Sequence, residues 1–314
     1  MARQKANPTR IQKPGNGHTY YLDGEYCPGV TTILSNGIPK GGLIDWAARV
    51  PSDFVSNRLT TARNAAGEVR IVADELVADL REWQTSRTGK NVIRWDDSTP
   101  LPRAAIADAL RSLHYRDRDL AANRGTEVHQ LAEQLARGET VEVPEELAGH
   151  VRSYVQFLDE WEPSGAILEG VIVNRRWRYM GKFDMIADFA HLPPWIAERI
   201  GSTSGRGLLD IKTSRSGIFA EVGLQLTAYR HGETLLTDAG EVPMPAVDFV
   251  AAIHVRADGY DVFGFDVNEG PARPTTFDIF LYAKQVGEWL DWKEGPASRI
   301  KSPALPVPRP RGDQ

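Results

Sequence analysis

The segment Leu208-Leu209-Asp210-Ile211-Lys212-Thr213 closes an apolar run with a carboxylate and an ammonium two residues apart. Side chains on a strand alternate between faces, so Leu208, Asp210 and Lys212 share one face while Leu209 and Ile211 take the other. A buried strand face rarely carries two charges, because each must find a partner or water to offset its desolvation. A carboxylate beside an ammonium can seat a hard metal ion next to a cation, the combination that phosphodiester hydrolysis uses. A strand end emerging into solvent would carry the same tripeptide.

Further residues could join this chemistry. Gly181-Lys182-Phe183-Asp184 puts a second carboxylate on an earlier strand, on the face opposite Phe183 and Met185. If the two strands pair, Asp184 and Asp210 converge on one ion; otherwise Asp184 ends a turn or pairs with Lys182 or an arginine. Glu169 shares a face with Ile167, Val171 and Val173, and an acid in that apolar row needs a cation, a metal or a water network. Arg124-Gly125-Thr126-Glu127-Val128-His129 opens a helix with Gly125 one turn before His129. The bare backbone at Gly125 admits another chain segment or a ligand, and Glu133, one turn past His129, allows a local histidine–carboxylate pair. Gln225 and Tyr229, one turn apart with Glu221 a turn earlier, could orient a lysine or a phosphate or form an exposed polar face.

The elements that must position these residues read as follows. The stretch to Gly17, basic and broken by Pro8 and Pro14, is expected to be disordered, and His18–Tyr26 reads as a hairpin turning at Asp23-Gly24. A short helix follows Pro28-Gly29, and another begins at Leu43 with a break near Pro51. Val69, Val72, Leu76, Leu80 and Trp83 have helical spacing, as does Arg103–Leu120, so residues 51–120 are expected to be a helical insertion. Ala121–Arg137 and Pro144–Trp161 are further helices. Strands are expected at Ala166–Arg175, Tyr179–Phe189, Gly207–Thr213, Val247–Val255 and Asp261–Phe265, with helices from Ile218 to Gly232 and from Thr276 to Trp292. The fold class expected is α/β (α+β), a central mixed sheet flanked by helices, in one domain over 18–294 with its catalytic core at 121–294. The proline-rich tail 295–314 is expected to be disordered.

Composition narrows the function. The chain has 314 residues, 41% of them hydrophobic, so it can bury a substantial core. A formal net charge of -5 argues against coating nucleic acid by bulk charge but permits a local basic groove, for which Arg175, Arg176, Arg178, Lys182 and Arg215 are candidates. A solvated turn would explain the same arginines. The single Cys27 makes neither an internal disulfide nor a thiolate metal site, and no run has signal-peptide or membrane-spanning length, so a reducing cytoplasm is expected.

In this order, Gly125-x-x-x-His129, Glu169, Gly181-x-x-Asp184, Asp210-Ile211-Lys212-Thr213 and Gln225-x-x-x-Tyr229 resemble the RecB-like branch of the PD-(D/E)XK nuclease superfamily, over roughly Arg124 to Arg230. The stretch His18–Trp46 resembles the opening of its phage members. The resemblance implies a restriction-endonuclease-like core and a Mg2+- or Mn2+-dependent DNA exonuclease that leaves 5′-phosphates. An endonuclease, a flap nuclease or an inactive binding module on the same core are alternatives. Carried over, His129, Asp184, Asp210 and the carbonyl of Ile211 hold the metal. Lys212 is the catalytic lysine, as base or electrostatic partner, and Gln225 and Tyr229 position lysine and substrate. The iron–sulfur cluster of some relatives is absent, since only Cys27 is present, and Lys182-Phe183 replace the expected proline before Asp184. The resemblance also implies DNA recombination or repair in a bacteriophage setting, a single-strand annealing protein as partner, and the host cytoplasm as location.

Overall fold

The computed structural model describes residues 9–12, 18–39, 41–63, 69–72, 74–79, 103–267, 270 and 274–290. The expected disordered tail 295–314 lies outside them, as does most of the expected disordered N-terminus. The chain divides into two compact units, one of Met1–Pro39 with Arg124–Gln314 and one of Lys40–Asn123. No helix among the described residues is long and apolar enough to cross a membrane.

The first unit begins with β1 (Arg10–Gln12), β2 (Thr19–Leu22), β3 (Glu25–Cys27) and α1 (Val30–Gly37). The second holds α2 (Gly41–Ser56), β4 (Thr60–Arg63), β5 (Val69–Val72) and the start of α3 (Arg103–Ala136). The first unit resumes along α3 and continues with α4 (Ala148–Trp161), β6 (Ser164–Leu168), β7 (Val171–Asn174), β8 (Tyr179–Lys182) and β9 (Met185–Phe189). Next come α5 (Pro194–Ile200), β10 (Gly205–Lys212), α6 (Glu221–Arg230), β11 (Thr234–Thr237) and β12 (Gly240–Pro243), then β13 (Phe249–Arg256), β14 (Gly259–Phe265) and α7 (Thr276–Leu290).

The architecture is mixed α/β of the α+β kind. A five-stranded sheet runs β14-β13-β10-β9-β6, with β10 parallel to β13 and every other pair antiparallel. A four-stranded antiparallel sheet runs β12-β11-β7-β8. Strand β10 is the central buried strand: Leu208 packs with Val222 and Leu226 of α6 and Phe280 of α7. Leu209 and Ile211 pack on the opposite face with Ala132 of α3 and Tyr154 and Phe157 of α4. Full burial on both faces is why this strand reads as an unbroken apolar run before its charges.

Several expectations are corrected. Arg10–Gln12 is a strand paired with Thr19–Tyr21, because β2 offers it a hydrogen-bonding edge. Val69 and Val72 lie in a strand paired with Thr60–Arg63, not on a helix; β-branched residues three apart suit either element until a partner strand decides. Pro51 sits inside α2 without ending it. The helices expected at 103–120 and 121–137 are one, since no breaker separates them. The strands expected at 166–175 and 179–189 each split, into β6 and β7 and into β8 and β9, and pass from one sheet to the other. Helix α5 and the hairpin β11–β12 fill stretches for which no element was expected.

Candidate metal centre

The split strands create the site. Both break at the same level, β6–β7 at Glu169-Gly170 and β8–β9 at Phe183-Asp184. Two bonds carry the pairing across the bend: Glu169 N–H donates to Asp184 O at 2.9 Å, and Phe183 N–H donates to Gly170 O at 3.0 Å. A Cβ on Gly170 would stand 2.3 Å from the Phe183 ring, so the chains meet this closely only because Gly170 is bare. Glu169 takes a left-handed backbone, φ 55°, which costs a side-chain-bearing residue about 1 to 3 kcal/mol. Such strain persists where surrounding structure over-determines it, and here it turns an acid into the bend.

Asp184 is placed by a broken ladder. Strands β9 and β10 pair as far as Leu209 opposite Met185, after which β9 turns away. The Ile211 N–H, past that point, donates instead to Asp184 Oδ2 at 2.6 Å. The other carboxylate oxygen faces His129 Nδ1 at 3.0 Å. His129 comes from α3, which draws close to the end of β10 at Gly125: a Cβ there would lie 3.2 Å from Thr213 Oγ1. The close approach expected of Gly125 is therefore to the residue after Lys212. One ligand atom each from His129, Glu169 and Asp184 lies within 4.8 Å of the others, and all three residues are half-buried.

On the α6 side of β10, Asp210 and Lys212 form an ion pair. Gln225 Nε2 donates to Asp210 Oδ1 at 3.2 Å and to the Tyr229 hydroxyl at 2.8 Å, and its Oε1 accepts from Lys212 Nζ at 3.1 Å. Tyr229 lies on Gly181, where a Cβ would stand 2.5 Å from the ring. Two of the sequence motifs thus meet: Gly181 is bare because Tyr229 packs on it. Asp210 Oδ2 is enclosed and, among the described residues, answered only by the Lys212 ammonium.

Charge sets the protonation pattern. Burial opposes a charged His129, but Asp184 and then Asp210 outweigh it and raise its pKa. Burial likewise works against ionised Asp184, which His129 and the Ile211 N–H nevertheless hold below the ordinary carboxylate range. Asp210 is raised, first by burial and also by the Asp184 charge, despite Lys212. Lys212 is raised because Asp210 and Asp184 overcome its burial, so it stays an ammonium.

The basic residues of the hairpin are placed otherwise than expected. Arg175 binds Asp23 at 2.9 Å and Glu241 at 2.5 Å, and Arg178 binds Glu25 at 2.8 Å. Glu241 and then Asp23 raise the Arg175 pKa further. Lys182 pairs with Glu169. These side chains tie strands together, so they are not the free contacts the sequence suggested. Arg176 lies 5.4 Å over the Trp177 ring, and no acid among the described residues pairs with it. Arg215 is exposed after β10. Glu133, the local partner considered for His129, binds Arg137 at 2.5 Å instead.

The resemblance left Glu169 out of the metal ligands, whereas the bend sets it beside His129 and Asp184. Asp210 borders this trio, acting electrostatically on His129 and Asp184, but its carboxylate is turned to Lys212 and Gln225. Arg124 and His150 were not singled out. Arg124 adjoins the Gly125 motif and was open to notice; His150 has no motif around it. No known family model matches this sequence, and no characterised protein matches it either.

Proposed function

We propose that this protein is a divalent-metal-dependent deoxyribonuclease of the RecB-like PD-(D/E)XK kind, acting as an exonuclease that leaves 5′-phosphates. The observation that carries the reading is the meeting of His129, Glu169 and Asp184 at the strand bend beside the Asp210–Lys212 pair. The donor set fits the ion: carboxylate oxygens and one imidazole suit magnesium and manganese. Bonds of about 2.1 Å place ligand atoms about 3 to 4 Å apart, a spacing small adjustments of this trio reach. Asp210 Oδ2, paired with the Lys212 ammonium, is the further ligand atom at hand.

When bound, such an ion acidifies water and draws charge from a phosphate oxygen. The chain supplies the rest. Lys212, held as an ammonium, sets a fixed positive charge where the phosphate oxygens gain negative charge. Gln225 fixes Lys212 and Asp210 relative to each other, and Tyr229 fixes Gln225. The partial burial of these groups limits the water that would weaken their charges.

The test is cleavage of end-labelled linear duplex and covalently closed circular DNA, with magnesium, with manganese and with chelator. The exonuclease reading expects metal-dependent loss of the linear substrate alone. Nicking of the circle points to an endonuclease on the same core. Failure to cut any linear, circular, single-stranded DNA or RNA refutes the assignment.

A further inference from the structure

Beyond Lys212 the chain runs through Thr213 and Ser214 to Arg215, held by the Gly125–Thr213 approach and by His254 Nε2 at 2.8 Å from Ser214 O. On α3, Arg124 precedes Gly125; on the first turn of α4 stands His150. Arg124 Nε and His150 Nδ1 are both enclosed, and neither has a hydrogen-bond partner among the described residues. No carboxylate among those residues pairs with Arg124 or Arg215. Burial, then Arg124, then Arg215 lower the His150 pKa, while Asp258 in the β13–β14 turn opposes them. Enclosed polar nitrogens without partners and like charges acting on one another both cost free energy, and an oxyanion bound by the guanidinium groups offsets the charge repulsion.

We propose that Arg124, His150 and Arg215 form a subsite for a phosphate group, carried by the nucleic-acid strand next to the bond hydrolysed at Lys212. The proposal rests on the nuclease reading for its ligand. Guanidinium groups suit the oxygens of a phosphate, and a neutral imidazole can take up a proton as that negative charge arrives. Arg215 lies three residues beyond Lys212. That length of extended chain spans at most about 10 Å, or about three nucleotide steps at a rise of about 3.4 Å. This subsite, and not the acid-bound hairpin, is where the strand is gripped near the centre.

Nuclear magnetic resonance of the His150 ring in the metal-free full chain, titrated with inorganic phosphate, tests it. A saturable shift is expected, with the His150 pKa rising on binding and phosphate binding tightening as pH falls. Arg215→Gln, at an exposed position, should weaken binding about tenfold, and Arg124→Gln likewise. A ring that ignores phosphate, or a response that survives both substitutions, overturns the subsite. Anisotropy in chelator with duplexes bearing a 5′-phosphate or a 5′-hydroxyl then locates the ligand. An internal phosphate predicts that Arg124→Gln weakens both duplexes and lowers the salt slope by about one. A terminal phosphate predicts weakening of the 5′-phosphorylated duplex alone. Unchanged affinity and slope in both variants again overturn it. A wild type that binds phosphate at His150 but cleaves no nucleic acid sinks the nuclease reading instead.

Discussion

The two sides of the Asp210–Lys212 strand end are built differently. On the α6 side, Gln225 and Tyr229 close a buried network around Asp210 and Lys212 whose members hold one another. On the bend side, His129, Glu169 and Asp184 are half-buried, Glu169 has a strained backbone, and each group faces a charge that an ion would displace or replace. A preformed network sets the geometry of a catalytic charge, while replaceable pairs leave room for a ligand. Under the proposed function, the bend would hold the ion and the helix side would place the charge.

The sharpest way to break the contrast is to remove its charges one side at a time. Lys212→Ala should lower cleavage about 10² to 10³-fold while manganese, followed by calorimetry, still binds. Asp184→Asn should abolish both binding and cleavage; intact binding would place the ion elsewhere. Glu169→Gln preserves the side-chain size and removes the charge, so manganese affinity should fall by about tenfold or more, with metal-free thermal unfolding changed little. If only stability fell, Glu169 would be a structural partner of Lys182 and nothing else.

Gly181→Ala would drive a methyl group into the Tyr229 ring and should cost about 1 to 3 kcal/mol, read in urea unfolding. The smallest expected effect is that of Tyr229→Phe. It removes one hydroxyl from Gln225, worth about 1 kcal/mol, and should slow cleavage about fivefold with manganese affinity unchanged. A loss of metal binding in this variant would erase the distinction between the two sides.

The helix side was legible in the sequence because its geometry is local. Two residues along a strand and four along a helix place Asp210 with Lys212 and Gln225 with Tyr229 before any tertiary contact is known. The bend was not legible, because alternation assumes a continuous strand. Glu169 read as an inward acid in an apolar row, but the left-handed turn that brings it to His129 depends on the pairing with Asp184 and Phe183 across the break. The ion pairs of Arg175 and Arg178 were hidden for a related reason: Asp23, Glu25 and Glu241, which bind them, are distant in sequence. His150 carries no signal in the sequence, since the charges that act on it, Arg124, Arg215 and Asp258, come from segments separated along the chain.

The most direct test of the central claim is pulsed electron paramagnetic resonance of manganese bound to the full chain. The account predicts one bound ion with nitrogen modulation from an imidazole, lost in His129→Ala and preserved in Lys212→Ala. Manganese bound without that modulation, or the modulation surviving His129→Ala, would contradict it.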